Sequence, residues 1–316
     1  MSTGGARRRY PSRMLIVTGT IGIDTIHGPT GSADAVMGGS AAYFAAAASH
    51  LAPVRLVGVV GEDWPDEHRA MLESFPGIDL AGLEVRSGGE TFRWGGRYEE
   101  NMNNRETLFT HLGVVEDVPP AVPESFADSS LVFLANSHPA VQAGMLDSIP
   151  ERSFSVCDTM DLWINVAKDD LLSLLGKVDG VVLNDSEAEL LTGVRNVVSA
   201  GRRILELGPS FVVVKKGEHG AVLVHEDGIA AIPAFPADHD AVVDPTGAGD
   251  SFAGGMMAHL ARTGRTDFEA IQESLAWGTV MASFTIGAFG LDGIRSAEDS
   301  SIAERLDAFR AIGRIG

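Results

Sequence analysis

The stretch that most constrains this chain is residues 244–255, which read Asp-Pro-Thr-Gly-Ala-Gly-Asp-Ser-Phe-Ala-Gly-Gly. A short β-branched run precedes it, and Phe252, Met256 and Leu260 follow with the three- to four-residue spacing of one helix face. The pattern predicts a strand end, a glycine turn and the start of a helix. Because the first turn of a helix has free N–H groups and the positive end of the helix dipole, we expect an anion site here, most often one for phosphate.

Asp250 is the unusual residue of this turn, because a carboxylate repels the phosphate that the turn would hold. One interpretation is that Asp250 caps the helix, as aspartate often does. The other is that Asp250 deprotonates a hydroxyl that attacks a bound phosphate. Two other phosphate motifs are excluded. Phe252 stands where a dinucleotide fingerprint has its third glycine, and the sequence contains no Gly-x-x-x-x-Gly-Lys-Ser/Thr.

Charge and cysteine content narrow the class of protein. The 316 residues include 24 Lys and Arg against 43 Asp and Glu, and the net charge of −19 argues against nucleic-acid or anionic-membrane partners. An anionic cosubstrate such as ATP therefore needs a local positive site or a divalent cation. The single cysteine, Cys157, lies in an apolar run and predicts buried packing, no internal disulfide and a cytoplasmic location. No apolar stretch reaches membrane-spanning length.

The order of apolar segments predicts an α/β protein. Short buried strands alternate with helices along most of the chain, which is typical of a parallel sheet. Residues 83–112 break this rhythm with short alternating pieces between glycine pairs, and we expect them to form a small antiparallel flap outside the main sheet. Residues 28–35 read as turn-rich, and residues 1–13 as a disordered tail. The prediction is one domain over residues 14–316 with an inserted lid around 83–112.

Residues 244–252 closely resemble the C-terminal signature of the ribokinase-like (PfkB) carbohydrate and nucleoside kinases. The resemblance implies an α/β, ribokinase-like fold, which is a mainly parallel central sheet flanked by helices, with a small β-strand lid. It also implies an ATP-dependent phosphotransferase in which Asp250 is the general base. The main-chain N–H groups of Gly247, Ala248 and Gly249 would then stabilise negative charge on the transferring γ-phosphoryl.

Features near the N-terminus fit the same resemblance. Gly38 and Gly39 precede a helix and resemble the family's Gly-Gly signature, whose amides lie close to sugar hydroxyls, whereas read alone they form a flexible turn. Tyr43 stands where the family usually has asparagine, which changes the expected hydrogen bonds to the substrate. Asp24 matches the aspartate that accepts hydrogen bonds from substrate hydroxyls, although without the resemblance it reads as a turn residue.

Two segments in the second half of the chain bear on the nucleotide. Asn184 and Glu187 open a helix, so they either cap it or, by resemblance to the family's Asn-x-x-Glu motif, organise Mg²⁺ and phosphate through water. Lys216 and Gly217 resemble the segment that flanks the nucleotide in relatives. The pair of lysines at this strand end, Lys215 and Lys216, either meets phosphates or is solvated.

The signature itself has two further implied roles. Thr246 is expected to contact the nucleotide. By the same resemblance, Asp244 and Thr246 are candidates for a monovalent-cation site such as one for K⁺, although Pro245 replaces the common threonine between them. Residues 158–163 resemble a strand-end stretch of some family members but lack its arginine, so we assign them no role.

The predicted lid carries aromatic and basic side chains. In the family such a lid closes over the substrate and excludes water from phosphoryl transfer. Arg97 or Arg105 would then grip an acid or phosphate on the substrate, and Trp94 or Tyr98 would stack on a base. The alternative is that these side chains pack against the body of the protein. Relatives often dimerise through the lid, so a homodimer of that kind is one expected arrangement.

The acceptor predicted first is a small sugar or sugar acid, because sugars are the family's commonest acceptors. A nucleoside is the alternative, supported by Tyr43 and the lid aromatics. The retained Asp250 and anion turn argue against a non-catalytic sugar or nucleotide sensor, and the absent dinucleotide fingerprint argues against an NAD-dependent oxidoreductase. His219, His239 and His259 read as packing or surface residues, since no histidine spacing indicates zinc.

Overall fold

The computed structural model describes residues 13–116, 118–238 and 241–312, in which the chain forms thirteen strands and eleven α-helices. Apart from Arg13, the predicted tail lies outside these ranges, and so does His239.

The strands are β1 (Leu15–Thr18), β2 (Gly22–Gly28), β3 (Gly31–Gly38), β4 (Val54–Gly61), β5 (Ile78–Arg86), β6 (Phe92–Tyr98), β7 (Arg105–His111), β8 (Leu131–Leu134), β9 (Phe154–Asp158), β10 (Gly180–Asn184), β11 (Phe211–Lys215), β12 (Ala221–His225) and β13 (Gly228–Ile232). The helices are α1 (Ser40–Ser49), α2 (Asp66–Glu73), α3 (Pro139–Asp147), α4 (Asp161–Val166), α5 (Lys168–Leu175), α6 (Asp185–Thr192), α7 (Val197–Leu205), α8 (Ala248–Thr263), α9 (Phe268–Thr285), α10 (Asp292–Arg295) and α11 (Asp299–Ile312).

Nine strands form the central sheet, in the order β13-β12-β11-β10-β9-β8-β1-β4-β5. Neighbours from β11 to β5 pair in parallel, whereas β12 pairs antiparallel with both β11 and β13. Inner strands such as Leu15–Thr18 are short, mainly apolar runs that are buried throughout, because helices cover both faces of the sheet. The prediction of a mainly parallel central sheet flanked by helices is confirmed.

Successive residues of a strand point to opposite faces, so each strand contributes to two cores. Leu15 and Val17 face a core that includes α1 and α8, while Ile16 faces a second core that includes α3, α5 and α7. Cys157 is fully buried in the second core, as its apolar run predicts. Helix α8 packs against both α1 and α9, which fixes the helix that follows residues 244–247.

The small sheet, which we call the lid, contains strands that the expected flap did not include. It has the order β3-β2-β6-β7, and β2 pairs in parallel with β6. Residues 28–35 therefore contribute to a hairpin rather than to an irregular turn region, because half-exposed strands with glycines at Gly28 and Gly31 look turn-rich in sequence. Residues 83–86 belong to β5 at the edge of the central sheet, where one-sided burial produces the alternation expected of a flap.

The carboxyl ends of the parallel strands meet at one edge of the central sheet, and α8 begins there too. In open parallel sheets this edge is where ligands bind. The lid stands over this edge, and its own small core includes Ile26, Phe92, Trp94 and Tyr98. None of the helices in the described residues has the length and apolar character needed to cross a membrane.

Candidate active site

A cavity of about 1220 Å³ opens between the lid and the carboxyl edge of the central sheet. Most of the predicted site residues line it, and these are Asp24, Gly39, Tyr43, Arg105, Asn184, Glu187, Gly217, Thr246, Gly247, Ala248, Gly249 and Asp250. Four others do not line it, namely Gly38, Arg97, Lys216 and Asp244.

The glycine turn has the predicted form. Gly247 is the N-cap residue of α8 with φ 73°, and a Cβ there would collide with the ring of Tyr43, so two constraints require glycine. The first helical bond is from Ser251 N–H to Gly247 O, at 2.9 Å. Ala248 N–H donates to Pro245 O at 3.2 Å, so this amide already has a partner. The amide of Gly249 has no backbone partner among the described residues and is available to an anion.

Asp250 lies in the first turn of α8 and is half-buried in the cavity wall. Its side chain is not the helix cap, because Gly247 occupies that position and no side chain makes a cap hydrogen bond. Burial raises the pKa of Asp250 to about 6, while Lys215, a hydrogen bond from Asp158 and Arg105 act in the opposite direction. A carboxylate with a pKa just below neutral is ionised yet basic enough to accept a proton, as a general base must be.

Asp158 is a further residue of the site, for which the sequence predicts no role. It ends β9, is only 4% exposed and shares a side-chain hydrogen bond with Asp250. Burial and then repulsion from Asp250 raise the pKa of Asp158 well above its ordinary value, with Lys215 opposing. Asp158 therefore holds the proton of the pair and donates it in a hydrogen bond to the Asp250 carboxylate. The usable signal was its position at the end of a buried parallel strand.

Lys215, rather than the predicted Lys216, lines the cavity. Lys215 is the last residue of β11, and adjacent residues at a strand end project in different directions. The Lys216 N–H donates to Gly220 O at 2.7 Å, which closes the turn after the strand. Gly217 lies against the lid, where Asn103 Nδ2 donates to Glu218 Oε1 at 2.9 Å.

Asn184 and Glu187 form a capping box at the start of α6. Glu187 N–H donates to Asn184 Oδ1 at 2.8 Å, and Asn184 N–H donates to Glu187 Oε2 at 2.7 Å. Asn184 and Glu187 therefore do cap the helix. Only Oε2 of Glu187 takes part in the capping box, so Oε1 is available for another interaction. Burial raises the pKa of Glu187, an effect that Lys215 opposes.

The donor set around Glu187 fits Mg²⁺. No cluster of three or more His, Cys, Asp or Glu side chains able to hold a metal occurs in the described ranges. Mg²⁺ seldom uses such a cage, since it keeps several waters and binds through one or two carboxylates and the phosphates of the substrate. Glu187 would hold the ion through water, next to Asp158, whose buried Oδ1 accepts no hydrogen bond from any residue that the structure describes.

The opposite end of the cavity is built around Asp24. This residue is 3% exposed, and its Oδ1 has no hydrogen-bond partner among the described residues. Burial, followed by repulsion from Asp244 and Asp250, raises the pKa of Asp24 to about 8, while the Gly39 N–H donates to its carboxylate. A Cβ on Gly38 would collide with that carboxylate, so Gly38 supports the site without lining the cavity.

Tyr43 and Asp244 are two buried polar side chains that lie behind the glycine turn. Tyr43 is 1% exposed, its ring packs on Gly247, and its hydroxyl has no partner in the described chain. Asp244 is equally buried, and its Oδ1 accepts a hydrogen bond from Thr246 N–H at 2.9 Å. The second oxygen of Asp244, Oδ2, is buried without a hydrogen bond to any described residue, which suits a cation ligand.

The lid contributes one face of β6 to the cavity. Trp94 and Tyr98 line the cavity, and Thr246 Oγ1 donates to the Tyr98 hydroxyl at 3.0 Å. Arg105 on β7 also lines it, with its guanidinium 5.2 Å from the centre of the Trp94 ring. Arg97 lies on the other face of β6, pairs with Glu106 at 3.4 Å and is 59% exposed, so it does not reach the cavity.

The sequence matches the family described as pfkB family carbohydrate kinase over residues 24–296. It is also similar to the cytidine kinase of Thermococcus kodakarensis, with 31% identity over 254 residues, which cover 78% of this chain and 88% of that protein.

Solved structures have the same fold at lower identity. The Burkholderia thailandensis nucleoside kinase in complex with inosine aligns with a TM-score of 0.75 at 19% identity, over 94% of this chain and 99% of that one. The Salmonella enterica aminoimidazole riboside kinase, complexed with aminoimidazole riboside and an ATP analog, aligns with a TM-score of 0.74 at 18% identity, over 93% and 99%. The expected ribokinase-like fold is confirmed.

The family match extends from Asp24 to beyond the signature turn, and so includes Asp24, the capping box and Asp250. Kinases of this family use ATP with Mg²⁺. The chain is therefore a phosphotransferase and belongs to the pfkB family of carbohydrate kinases.

Proposed function

We propose that this kinase transfers the γ-phosphoryl of ATP to a hydroxyl of a nucleoside. The observation that carries the proposal is the wall beside Asp24. There the lid lines the cavity with Phe92, Trp94 and Tyr98 in addition to Leu112 and Val115. A nucleobase presents a flat aromatic face that stacks on such rings, whereas a free ribose is smaller and would cover less of this wall. The similarity to a cytidine kinase over most of both chains supports the same choice.

The acceptor ribose would bind at the buried polar end of the cavity. The unpartnered Oδ1 of Asp24 accepts a hydrogen bond from a ribose hydroxyl, and the glycine at position 39 lets the sugar approach the main chain. Such a hydroxyl is held opposite Asp250, which lines the same cavity. A buried oxygen that accepts no hydrogen bond lowers the stability of the protein. A substrate hydroxyl that donates to Asp24 Oδ1 would remove this desolvation penalty.

Phosphoryl transfer then needs few protein groups. The acceptor O–H proton passes to the Asp250 carboxylate as the acceptor oxygen forms a bond to the γ-phosphorus. The bond from that phosphorus to the β–γ bridging oxygen breaks, and ADP leaves with the electron pair. The amides of Gly247 and Gly249 donate to the transferring oxygens. Mg²⁺, when bound through water from Glu187, supplies positive charge to the polyphosphate.

A monovalent cation behind the turn is part of the proposal. The buried Asp244 Oδ2 lies next to the turn that carries Gly247, and it has no hydrogen-bond partner among the described residues. An ion such as K⁺ would neutralise this carboxylate and hold the turn in its anion-binding form.

A sugar or sugar acid remains the second candidate acceptor. Arg105 supports it, because this cation lines the cavity beside Trp94 and would pair with a carboxylate or phosphate on a small substrate.

A coupled ADP-release assay with Mg²⁺ and K⁺ separates the candidates. The panel contains pyrimidine and purine nucleosides, free ribose and other sugars, sugar acids and sugar phosphates. We expect a nucleoside to stimulate ADP release most, and free ribose to be a poor acceptor because it leaves the aromatic wall uncovered. Strong stimulation by a sugar acid or sugar phosphate, with none by nucleosides, would refute the nucleoside proposal in favour of the second candidate. ATP binding without stimulation by any acceptor would support a sensor.

A further inference from the structure

Lys215 is held at the point where the anion-binding turn and the carboxylates of the site meet. Its Nζ stands 2.6 Å from where a Cβ on Gly249 would lie, so the missing side chain of Gly249 makes room for the ammonium group. The same ammonium opposes the burial-driven rise in pKa of Asp158, Glu187 and Asp250. One cation therefore lies beside Gly249 and acts on both the general base and the acidic residue proposed to organise Mg²⁺.

The positive charge of Lys215 is not paired with a carboxylate of any described residue. In the ranges that the structure describes, no carboxylate oxygen lies within 4.0 Å of the Lys215 ammonium. The residue is half-buried and lines the cavity. Because the chain carries a net charge of −19, a phosphoryl group transferred beside Asp250 and Glu187 needs a local cation, and Lys215 is placed to provide it.

We propose that Lys215 is a catalytic residue whose ammonium contacts the γ-phosphoryl group of ATP during transfer. It would act together with the Gly249 amide on the non-bridging oxygens, where negative charge is held as the bond to the bridging oxygen breaks. No proton leaves the lysine, since its contribution is electrostatic. This role rests on the kinase activity of the family and not on which acceptor is phosphorylated.

The competing explanation is that Lys215 only offsets the charge of neighbouring acids. Such a residue would stabilise the fold and would affect all nucleotides equally. A residue that contacts the γ-phosphoryl instead distinguishes a nucleotide that has this group from one that lacks it.

The test compares binding of the magnesium complexes of AMP-PNP and ADP by calorimetry in Lys215→Met and in the matched control Lys216→Met. We expect Lys215→Met to weaken AMP-PNP at least tenfold more than ADP. Lys216→Met should leave the ratio of the two dissociation constants within twofold of the parent protein. In the acceptor assay, Lys215→Met should lower kcat by about 10²–10³, the loss typical of one transition-state donor, with the acceptor KM little changed.

Equal weakening of AMP-PNP and ADP by Lys215→Met would overturn the proposal, as would an unchanged kcat. Circular dichroism and urea unfolding check that the variant is folded, and Lys215→Gln, which keeps a polar group but no charge, replaces it if it is not. Lys215→Gln should also discriminate against AMP-PNP. If the parent protein binds neither nucleotide, the kinase mechanism itself fails, which is a result distinct from loss of the Lys215 effect alone.

Discussion

The carboxyl pair of Asp158 and Asp250 gives this mechanism a measurable pH dependence. Asp158 donates a hydrogen bond to the Asp250 carboxylate and thereby helps to hold the pKa of Asp250 at about 6 despite its burial. In Asp158→Val the donor is absent. A hydrogen bond to a charged group contributes ~1.5–3 kcal/mol, and one pKa unit corresponds to about 1.36 kcal/mol, so the pKa of Asp250 should rise by roughly one to two units.

The assay is the pH profile of kcat/KM, which reports ionisations of the free enzyme. The acid limb of the parent enzyme should fall near pH 6, and that of Asp158→Val about one to two units higher. Asp158→Asn is the matched control, because its amide N–H can still donate to Asp250, and its limb should stay within about half a unit of the parent. An acid limb in Asp158→Val that is unchanged, or shifted to lower pH, would refute the account, because it would mean that Asp158 donates no proton to the pair.

Three further predictions concern the rest of the site. Trp94→Ala should raise the KM of the nucleoside acceptor about tenfold, the loss of one stacked ring, and leave the KM of ATP unchanged; equal effects on both would contradict the base-binding role. Burial holds the pKa of Asp24 at about 8, far above its ordinary 3.8, so the folded state binds this proton more tightly than the unfolded chain does. Its stabilising contribution is complete below about pH 4 and is lost as the pH rises to about 8, so urea unfolding should show a decline over that range that Asp24→Asn flattens. Finally, replacing K⁺ by tetramethylammonium should lower kcat in the parent enzyme and have little effect in Asp244→Asn, whereas equal sensitivity would exclude a cation at this carboxylate.

The central sheet could be predicted because its strands carry their own signal. Runs such as residues 15–17 and 211–214 are apolar throughout, as is typical of strands buried on both faces. The lid is harder to predict from the sequence, because several of its strands are partly exposed and its β2–β3 hairpin contains glycines typical of loops. Which strands join it depends on pairing between residues far apart in the chain, such as Gly22 with Phe92.

In the site, too, some features follow from local sequence and others depend on the tertiary fold. The amides and carboxylate of the glycine turn follow from local sequence, since a strand, a turn and a helix place them together. The choice between Lys215 and Lys216 depends on the direction of each side chain at the end of β11, which the sequence does not specify. The contact of Asp158 with Asp250 joins the end of β9 to the start of α8, and such a contact exists only in the folded sheet.

The most direct test of the central claim is the acceptor-stimulated ADP release of Asp250→Asn, measured with the best nucleoside of the panel. Loss of a general base costs about 10²–10⁴ in rate, so we expect turnover to fall by that factor. Calorimetry should show that nucleoside and Mg·ATP still bind to the variant, because Asp250 accepts the proton and does not hold either ligand. Turnover in Asp250→Asn close to that of the parent enzyme would contradict the assignment of Asp250 as the catalytic base.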